Sequence, residues 1–222
     1  MAKFMLSVFL MFLASACASS SLDQNFAFNT TKSDGILAIK NPRINNESWL
    51  FLQKVDLTEQ KFVGSPLEFS TCDDCLPSSN TYKLEKSDTP DFRLLPIPPG
   101  TYAIVGLLKW ERTGGNQRKS LHSCFAKATA VFEVKAGKVN MVATAKNQNS
   151  AISNLTQLKS LVSTFPGITS DVISAQLLAV IAFDANGHGP LQSNCLNGID
   201  GRSFNILRRL DNRTIASIAT TI

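Results

Sequence analysis

Short runs of β-favouring residues, each interrupted after a few positions, are the feature that most limits what this chain can fold into. Seven such runs occupy residues 35–40, 48–55, 61–69, 81–86, 100–112, 123–134 and 138–145. Gly, Pro, Asn, Asp and Ser lie between them and interrupt helices. Strands that follow one another without intervening helices are typical of antiparallel sheets, so the sequence predicts a mainly β fold with an antiparallel β-sandwich over residues 33–147. Pro66 has no amide hydrogen for a neighbouring strand, and we expect the third run to be two pieces or an edge strand.

From residue 148 the pattern becomes partly helical. A helix is predicted over 154–165 because five apolar residues recur on one helical face: Leu155, Leu158, Leu161, Val162 and Phe165. Ser153 or Asn154 is expected to cap its start, and Pro166-Gly167 to end it. This helix needs an apolar surface to cover, so residues 148–222 are expected to pack on the sandwich.

The apolar segment 171–183 shows no clear period, so a helix and a buried strand are both open interpretations. The glycines and proline that follow residue 184 predict a loop up to about residue 202.

The first sixteen residues have the pattern of an export signal. Lys3 precedes an apolar or small run over residues 4–13, and small side chains follow at Ala14 and Ala16. Ten helical residues rise about 15 Å, roughly half of a bilayer core, so this run is too short to be a permanent membrane span. We therefore interpret residues 1–16 as a signal peptide that is removed. The remaining 206 residues (222 minus 16) are enough for one substantial core.

The end of this segment, Ala14-Ser15-Ala16-Cys17, resembles the lipobox of bacterial lipoproteins, although that family usually has Leu where Ala14 stands. In that family the signal is cut before the cysteine, which then carries fatty acyl groups such as palmitate. The resemblance implies lipidation of Cys17 and a flexible tether over residues 17–32. Because Ala18 is not the aspartate that retains some lipoproteins in an inner membrane, it also implies an outer-membrane location, periplasm-facing or surface-exposed.

The same small residues also satisfy the ordinary signal-peptidase rule. A secreted or periplasmic, disulfide-bonded binding protein without lipid is therefore the alternative. Four glycosylation sequons, at Asn29, Asn46, Asn154 and Asn212, favour it.

The chain contains five cysteines: Cys17, Cys72, Cys75, Cys124 and Cys195. If Cys17 carries lipid, the other four form an even set that can close two disulfides in an oxidising compartment. Of the three possible pairings we favour Cys72 with Cys75 and Cys124 with Cys195, because the CDDC segment is rich in turn residues. The CxxC spacing also occurs in redox centres and zinc half-sites, but no βαβ unit precedes it and no second close pair follows it.

One internal segment has a recognisable turn pattern. The residues Leu95-Pro-Ile-Pro-Pro-Gly-Thr-Tyr-Ala-Ile-Val105 resemble the PGxY turn and strand of prealbumin-like and carboxypeptidase-regulatory-like β-sandwiches. They also resemble a set of bacterial lipoproteins of unknown function, in which FxVxAGK follows, as in Phe132–Lys138 here. Gly100 is expected to adopt a positive φ, with Tyr102 and Ile104 on one face of the next strand. Such motifs specify turns and packing and imply no chemistry.

We expect no catalytic residue, no metal site and no cofactor. His122 and His188 are the only histidines, and no nucleophile elbow, phosphate loop, dinucleotide fingerprint or HExxH motif occurs. Residues 184–189 faintly resemble a calcium loop, but Cys195 stands where a bidentate acid would be needed. An envelope hydrolase that uses two carboxylates is the least favoured alternative.

The net charge of +5 is spread along the chain, and its densest cluster is Arg202, Arg208, Arg209 and Arg213. We interpret this cluster as a solvated charged face; contact with lipid headgroups, acidic polysaccharide or nucleic acid is the less favoured alternative. The sequence thus predicts a non-catalytic binding or assembly module, held at a membrane by Cys17. Its partner would be an unknown envelope protein or polysaccharide, and no nucleic acid is expected.

Overall fold

The structure is a computed structural model of the 222-residue chain. It describes residue 22 and residues 26–40, 48–70, 81–84, 92–112, 118–142, 148–185 and 199–210. Within these residues the strands are β1 (Gly35–Lys40), β2 (Ser48–Asp56), β3 (Lys61–Ser70), β4 (Tyr82–Leu84), β5 (Phe92–Ile97), β6 (Gly100–Arg112), β7 (Arg118–Cys124), β8 (Thr129–Val134), β9 (Val139–Val142), β10 (Val172–Ser174), β11 (Gln176–Phe183) and β12 (Phe204–Arg209). The helix is α1 (Gln148–Val162). The predicted mainly β fold is confirmed.

The strands form two sheets. In the first sheet the order is β10-β9-β1-β5-β4, with antiparallel pairs except for β9, which runs parallel to β1 and β10. In the second sheet the order is β12-β11-β8-β6-β2-β3, and β7 pairs with the far half of β6. The residues after 147 therefore add strands to both sheets in addition to their helix.

The second sheet closes on itself where β3 and β12 begin. Lys61 and Ser203 form an antiparallel bridge. The amide of Phe62 donates to the Arg202 carbonyl at 3.0 Å, and the Gly201 amide donates to the Phe62 carbonyl at 2.9 Å. Register shifts in β2 and β11 increase the local twist of the sheet, which helps it to curl.

Three buried clusters follow from this arrangement. The outer cluster lies between the first sheet, α1 and the N-terminal segment, and includes Ile36, Leu94, Met141 and Leu158. The middle cluster lies between the sheets and includes Leu37, Leu52, Ile104 and Phe132. The third draws on all six strands of the second sheet's path and includes Val55, Phe62, Val105, Val131, Ile181 and Phe204. Alternate residues of β1 enter different clusters, as the two-residue repeat of a strand requires.

Several expectations are confirmed in detail. Of the predicted helical face, Leu158, Leu161 and Val162 are buried in the outer cluster, and Leu155 and Phe165 pack against it. The helix ends at Val162, earlier than expected, so Phe165 makes its contact from the turn that follows. Segment 171–183 forms β10 and β11, which selects the strand interpretation over the helix. β3 runs through Pro66 as one strand at the end of the sheet order. The bridge to Ser203 is at Lys61, the first residue of β3, so the edge-strand interpretation is correct at Pro66.

Other expectations are corrected. The helix begins at Gln148, before Ser153 and Asn154, because its first turn is polar and gave no periodic signal. The run 123–134 is split, since Cys124 ends β7 and Thr129 begins β8 after a turn. No strand was expected at β5, because the charged Arg93 and the proline at position 96 interrupt its apolar residues. In the structure both residues pair with β1.

Candidate attachment site and interaction surfaces

The segment that was predicted to be a free tether is bound to the body where the structure describes it. Leu22 is 7% exposed, and its amide donates to the Lys83 carbonyl on β4 at 3.1 Å. The ring of Phe26 lies 5.1 Å from that of Tyr82. Cys17 lies outside the described residues. We call Leu22 and residues 26–34 the N-terminal strap.

Farther along, the strap pairs with the chain that follows α1. The Phe28 amide donates to the Gly167 carbonyl at 2.8 Å, and the Thr169 amide donates to the Phe28 carbonyl at 2.9 Å. A Cβ at Gly167 would lie 2.0 Å from the carbonyl oxygen of Phe26, so only glycine permits this approach. Apolar residues at 22, 26 and 28 were the sequence signal for this docking, and the polar residues around them concealed it.

The turn Ala136-Gly137-Lys138, between β8 and β9, contacts the strap at Thr30. Gly137 has a φ of 62°, and a Cβ there would lie 2.4 Å from the Thr30 carbonyl oxygen. The buried side chain of Asn140 spans the turn: its amide donates to the Lys135 carbonyl at 3.0 Å and its oxygen accepts from the Lys135 amide at 3.0 Å. Sequence reasoning identified the turn and missed Asn140.

The PGxY segment has the predicted geometry. Gly100 has a φ of 148°, and Tyr102 and Ile104 both lie in the middle cluster. The Tyr102 hydroxyl donates to the Pro98 carbonyl at 2.8 Å. Burial of the phenol, with a smaller contribution from the charge of Asp34, raises the pKa of Tyr102 above its ordinary value of 10.0.

Of the candidate disulfide cysteines, Cys124 is described. It ends β7, is half-buried and is disulfide-bonded. Cys72, Cys75 and Cys195 lie outside the described residues, so the favoured pairing stays a prediction.

The residues considered for catalysis or calcium binding do not come together in the part of the chain that the structure describes. His122 stands opposite Leu108 in the β6–β7 pair, and His188 lies outside the described residues together with most of the 184–189 loop. The backbone carbonyl of Asp184 accepts a 3.0 Å hydrogen bond from the Arg202 guanidinium. In the described ranges, no three His, Cys, Asp or Glu residues lie close enough together to hold a metal ion.

Described carboxylates serve turns and ion pairs. Asp56 accepts from the amides of Thr58 and Glu59, and Asp200 accepts from the Gly64 amide at 2.6 Å. The Lys138 ammonium forms a hydrogen bond and ion pair with Asp171, and it lowers the pKa of that exposed carboxyl.

The basic cluster does not form one face. Arg208 and Arg209 are both exposed on β12, but successive residues of a strand point to opposite faces. Leu207, beside them, is 55% exposed. Arg202 turns toward Asp184, and Arg213 lies outside the described residues. The exposed end of β12, the last strand in the sheet order, therefore carries one apolar and two basic side chains, with its two arginines on opposite faces. We call Leu207, Arg208 and Arg209 at this strand edge the β12 patch.

No protein-family model, curated protein or solved structure matches the chain. The resemblances to bacterial lipoproteins and to PGxY-type sandwiches therefore remain predictions drawn from the residues quoted above. No helix in the described ranges is both long and apolar enough to cross a membrane.

Proposed function

We propose that this protein is a bacterial envelope lipoprotein, anchored to the outer membrane through Cys17, whose β-sandwich is a non-catalytic binding or assembly module. The observation that carries this proposal is the apolar run over residues 4–13, followed by Ala14-Ser15-Ala16-Cys17. Several acyl chains on one cysteine would give lasting attachment, since each buried methylene contributes about 0.8 kcal/mol.

Two features of the body support an exported protein. The disulfide at Cys124 is of a kind that persists in oxidising compartments. The first described residue, Leu22, follows the proposed cleavage site, so removal of residues 1–16 would leave every described residue in place.

The secreted alternative follows from the signal-peptidase rule and is favoured by four sequons, and the structure weakens the sequon at Asn154. Asn154 is 8% exposed, and its side-chain oxygen accepts a 2.7 Å hydrogen bond from the Lys40 ammonium. A glycan would be attached to the nitrogen of this side chain, and the burial of Asn154 leaves little space for it at a packed helix face.

Attachment is tested by producing wild-type protein and Cys17→Ala in a Gram-negative host and separating inner membrane, outer membrane and soluble fractions. We expect the wild type in the outer membrane, with an N-terminal peptide whose mass shows an acylated Cys17, and loss of outer-membrane attachment in Cys17→Ala. Ser20→Ala is the matched control because it changes a nearby residue of the same segment without touching the lipobox or a cysteine. An unmodified Cys17 in the mature wild type, or equal membrane retention of both proteins, contradicts the anchor. Soluble, processed wild type favours the secreted alternative.

The binding role is tested at the β12 patch. Leu207 and Ile152 are matched probes, because their exposures are 55% and 56% but they lie on β12 and α1 respectively. We expect a photo-crosslinking amino acid at 207 to give a discrete adduct in the host envelope and the same group at 152 to give none. Adducts of equal yield at both positions, or none at 207, contradict a role for this patch.

A further inference from the structure

The length of chain between Cys17 and the fold limits how far the body can stand from its anchor. Four residues separate Cys17 from Leu22. Fully extended, the five steps from Cys17 to Leu22 reach about 18 Å. Leu22 cannot lengthen this reach without leaving the core, because it is buried and hydrogen-bonded to Lys83.

The position of Leu22 identifies the part of the body that this short connection holds. Strand β4 ends the order of the first sheet and pairs with β5 on one side. The Lys83 carbonyl, which accepts from Leu22, belongs to this edge strand. The chain from Cys17 therefore enters the body at the β4 edge.

The β12 patch lies in a different part of the molecule. The residues buried between the two sheets include Leu52 of β2, Phe69 of β3, Ile104 of β6 and Phe132 of β8. Strand β12 contributes Phe204 to the cluster enclosed by the second sheet. The patch thus lies in the sheet that does not receive the strap.

We propose that the β4 edge, with Tyr82, Lys83 and the docked Leu22, faces the phospholipid surface, and that the strap holds the β12 patch away from that surface. This inference rests on the proposed lipid attachment at Cys17. In this proposal the docked strap sets the orientation of the protein. It holds the β4 edge against the membrane and leaves the β12 patch exposed to a partner.

The test uses the mature, acylated protein (residues 17–222) in vesicles of phosphatidylethanolamine and phosphatidylglycerol that carry an energy-transfer acceptor on the lipid headgroup. A donor dye is attached through an encoded amino acid at position 83 or at position 207. We expect energy transfer to be more efficient from 83 than from 207.

A second variant carries a twelve-residue Gly-Ser insertion between Ser21 and Leu22, which raises the extended reach from Cys17 to about 60 Å. We expect it to stay bound to vesicles and to lose the difference between the two donor positions. Equal transfer from both positions without the insertion, or stronger transfer from 207, overturns the orientation while the anchor stands. Failure of the wild type to bind vesicles, with Cys17 unmodified, overturns the anchor and the orientation together.

Discussion

The hydroxyl of Tyr102 donates a 2.8 Å hydrogen bond to the carbonyl of Pro98 across the turn that joins β5 to β6. This turn carries the chain from the first sheet to the second, and the Tyr102 ring is 2% exposed in the cluster between them. One side chain therefore closes the turn and packs the sheets that the turn connects. The PGxY motif thus fixes the turn at which the chain passes from the first sheet to the second. Gly100 provides the positive φ that other residues rarely adopt.

Replacing Tyr102 with Phe is expected to lower the free energy of unfolding by about 1 kcal/mol, because the ring stays and one hydrogen bond is lost. The folded-state pKa of Tyr102 is raised, so its contribution is fully present below the unfolded pKa near 10.0 and is lost as pH rises through the folded pKa. Urea unfolding at neutral pH and above pH 10 measures both effects. Tyr82→Phe, which alters the chain's other tyrosine, is the control. A Tyr102→Phe protein as stable as wild type at neutral pH would contradict the assignment.

Gly137→Ala is expected to destabilise the protein more than Gly64→Ala. Both glycines have a similar positive φ, 62° and 73°, so each substitution carries the same backbone cost of about 1 to 2 kcal/mol. A Cβ at 137 would also meet the Thr30 carbonyl at 2.4 Å, whereas a Cβ at 64 would meet nothing within 4 Å. The excess loss in denaturant unfolding isolates the docking of the strap. Faster tryptic cleavage at Lys32 should accompany this loss in Gly137→Ala alone. Equal losses of stability in the two variants would show that the contact between Gly137 and Thr30 does not stabilise the protein.

Leu158→Ala is expected to cost about 2 to 5 kcal/mol, because it leaves a cavity between α1 and the first sheet, where Leu158 is fully buried. Ile152→Ala on the same helix is the matched control, since Ile152 is 56% exposed and its loss creates no cavity. Thermal and urea unfolding should separate the two variants clearly. Similar losses would mean that α1 does not pack through the face identified here.

Digestion of the exported, unreduced protein is expected to release a peptide that contains Cys124 linked to Cys195, with Cys72 and Cys75 linked to each other. Mass spectrometry before and after reduction identifies both links. Cys124→Ser should lower stability by about 2 to 5 kcal/mol. A link from Cys124 to Cys72 or Cys75 would refute the favoured pairing, and free Cys124 would also remove one support for export.

Local patterns predicted much of the fold because each depends on residues close together in sequence. The recurrence of Leu155, Leu158 and Leu161 was enough to predict the buried face of α1. The alternation of Tyr102 and Ile104 was likewise enough to place both between the sheets. Segment 171–183 was ambiguous because a strand whose faces both pack inside has no polar alternation to distinguish it from a buried helix.

Less of the candidate attachment site could be predicted from the sequence. Cys17 was identified by its local context, but the docking of Leu22 and Phe28 was not, because it depends on β4 and on the chain after α1, more than fifty residues away. Arg202, Arg208 and Arg209 looked like one basic face in sequence, and strand geometry separated them.

By itself, then, the sequence determined the class of fold, the face of the helix, the PGxY turn and the motif on which export is predicted, since hydrophobic period, glycine conformation and a short cleavage pattern are all local properties. Tertiary structure alone decided that Phe62 and Arg202 close the second sheet and that the strap lies across the first. Those contacts join residues far apart in the chain, and they form because burying apolar side chains such as Leu22 and Phe204 requires surfaces that exist only once both sheets are assembled.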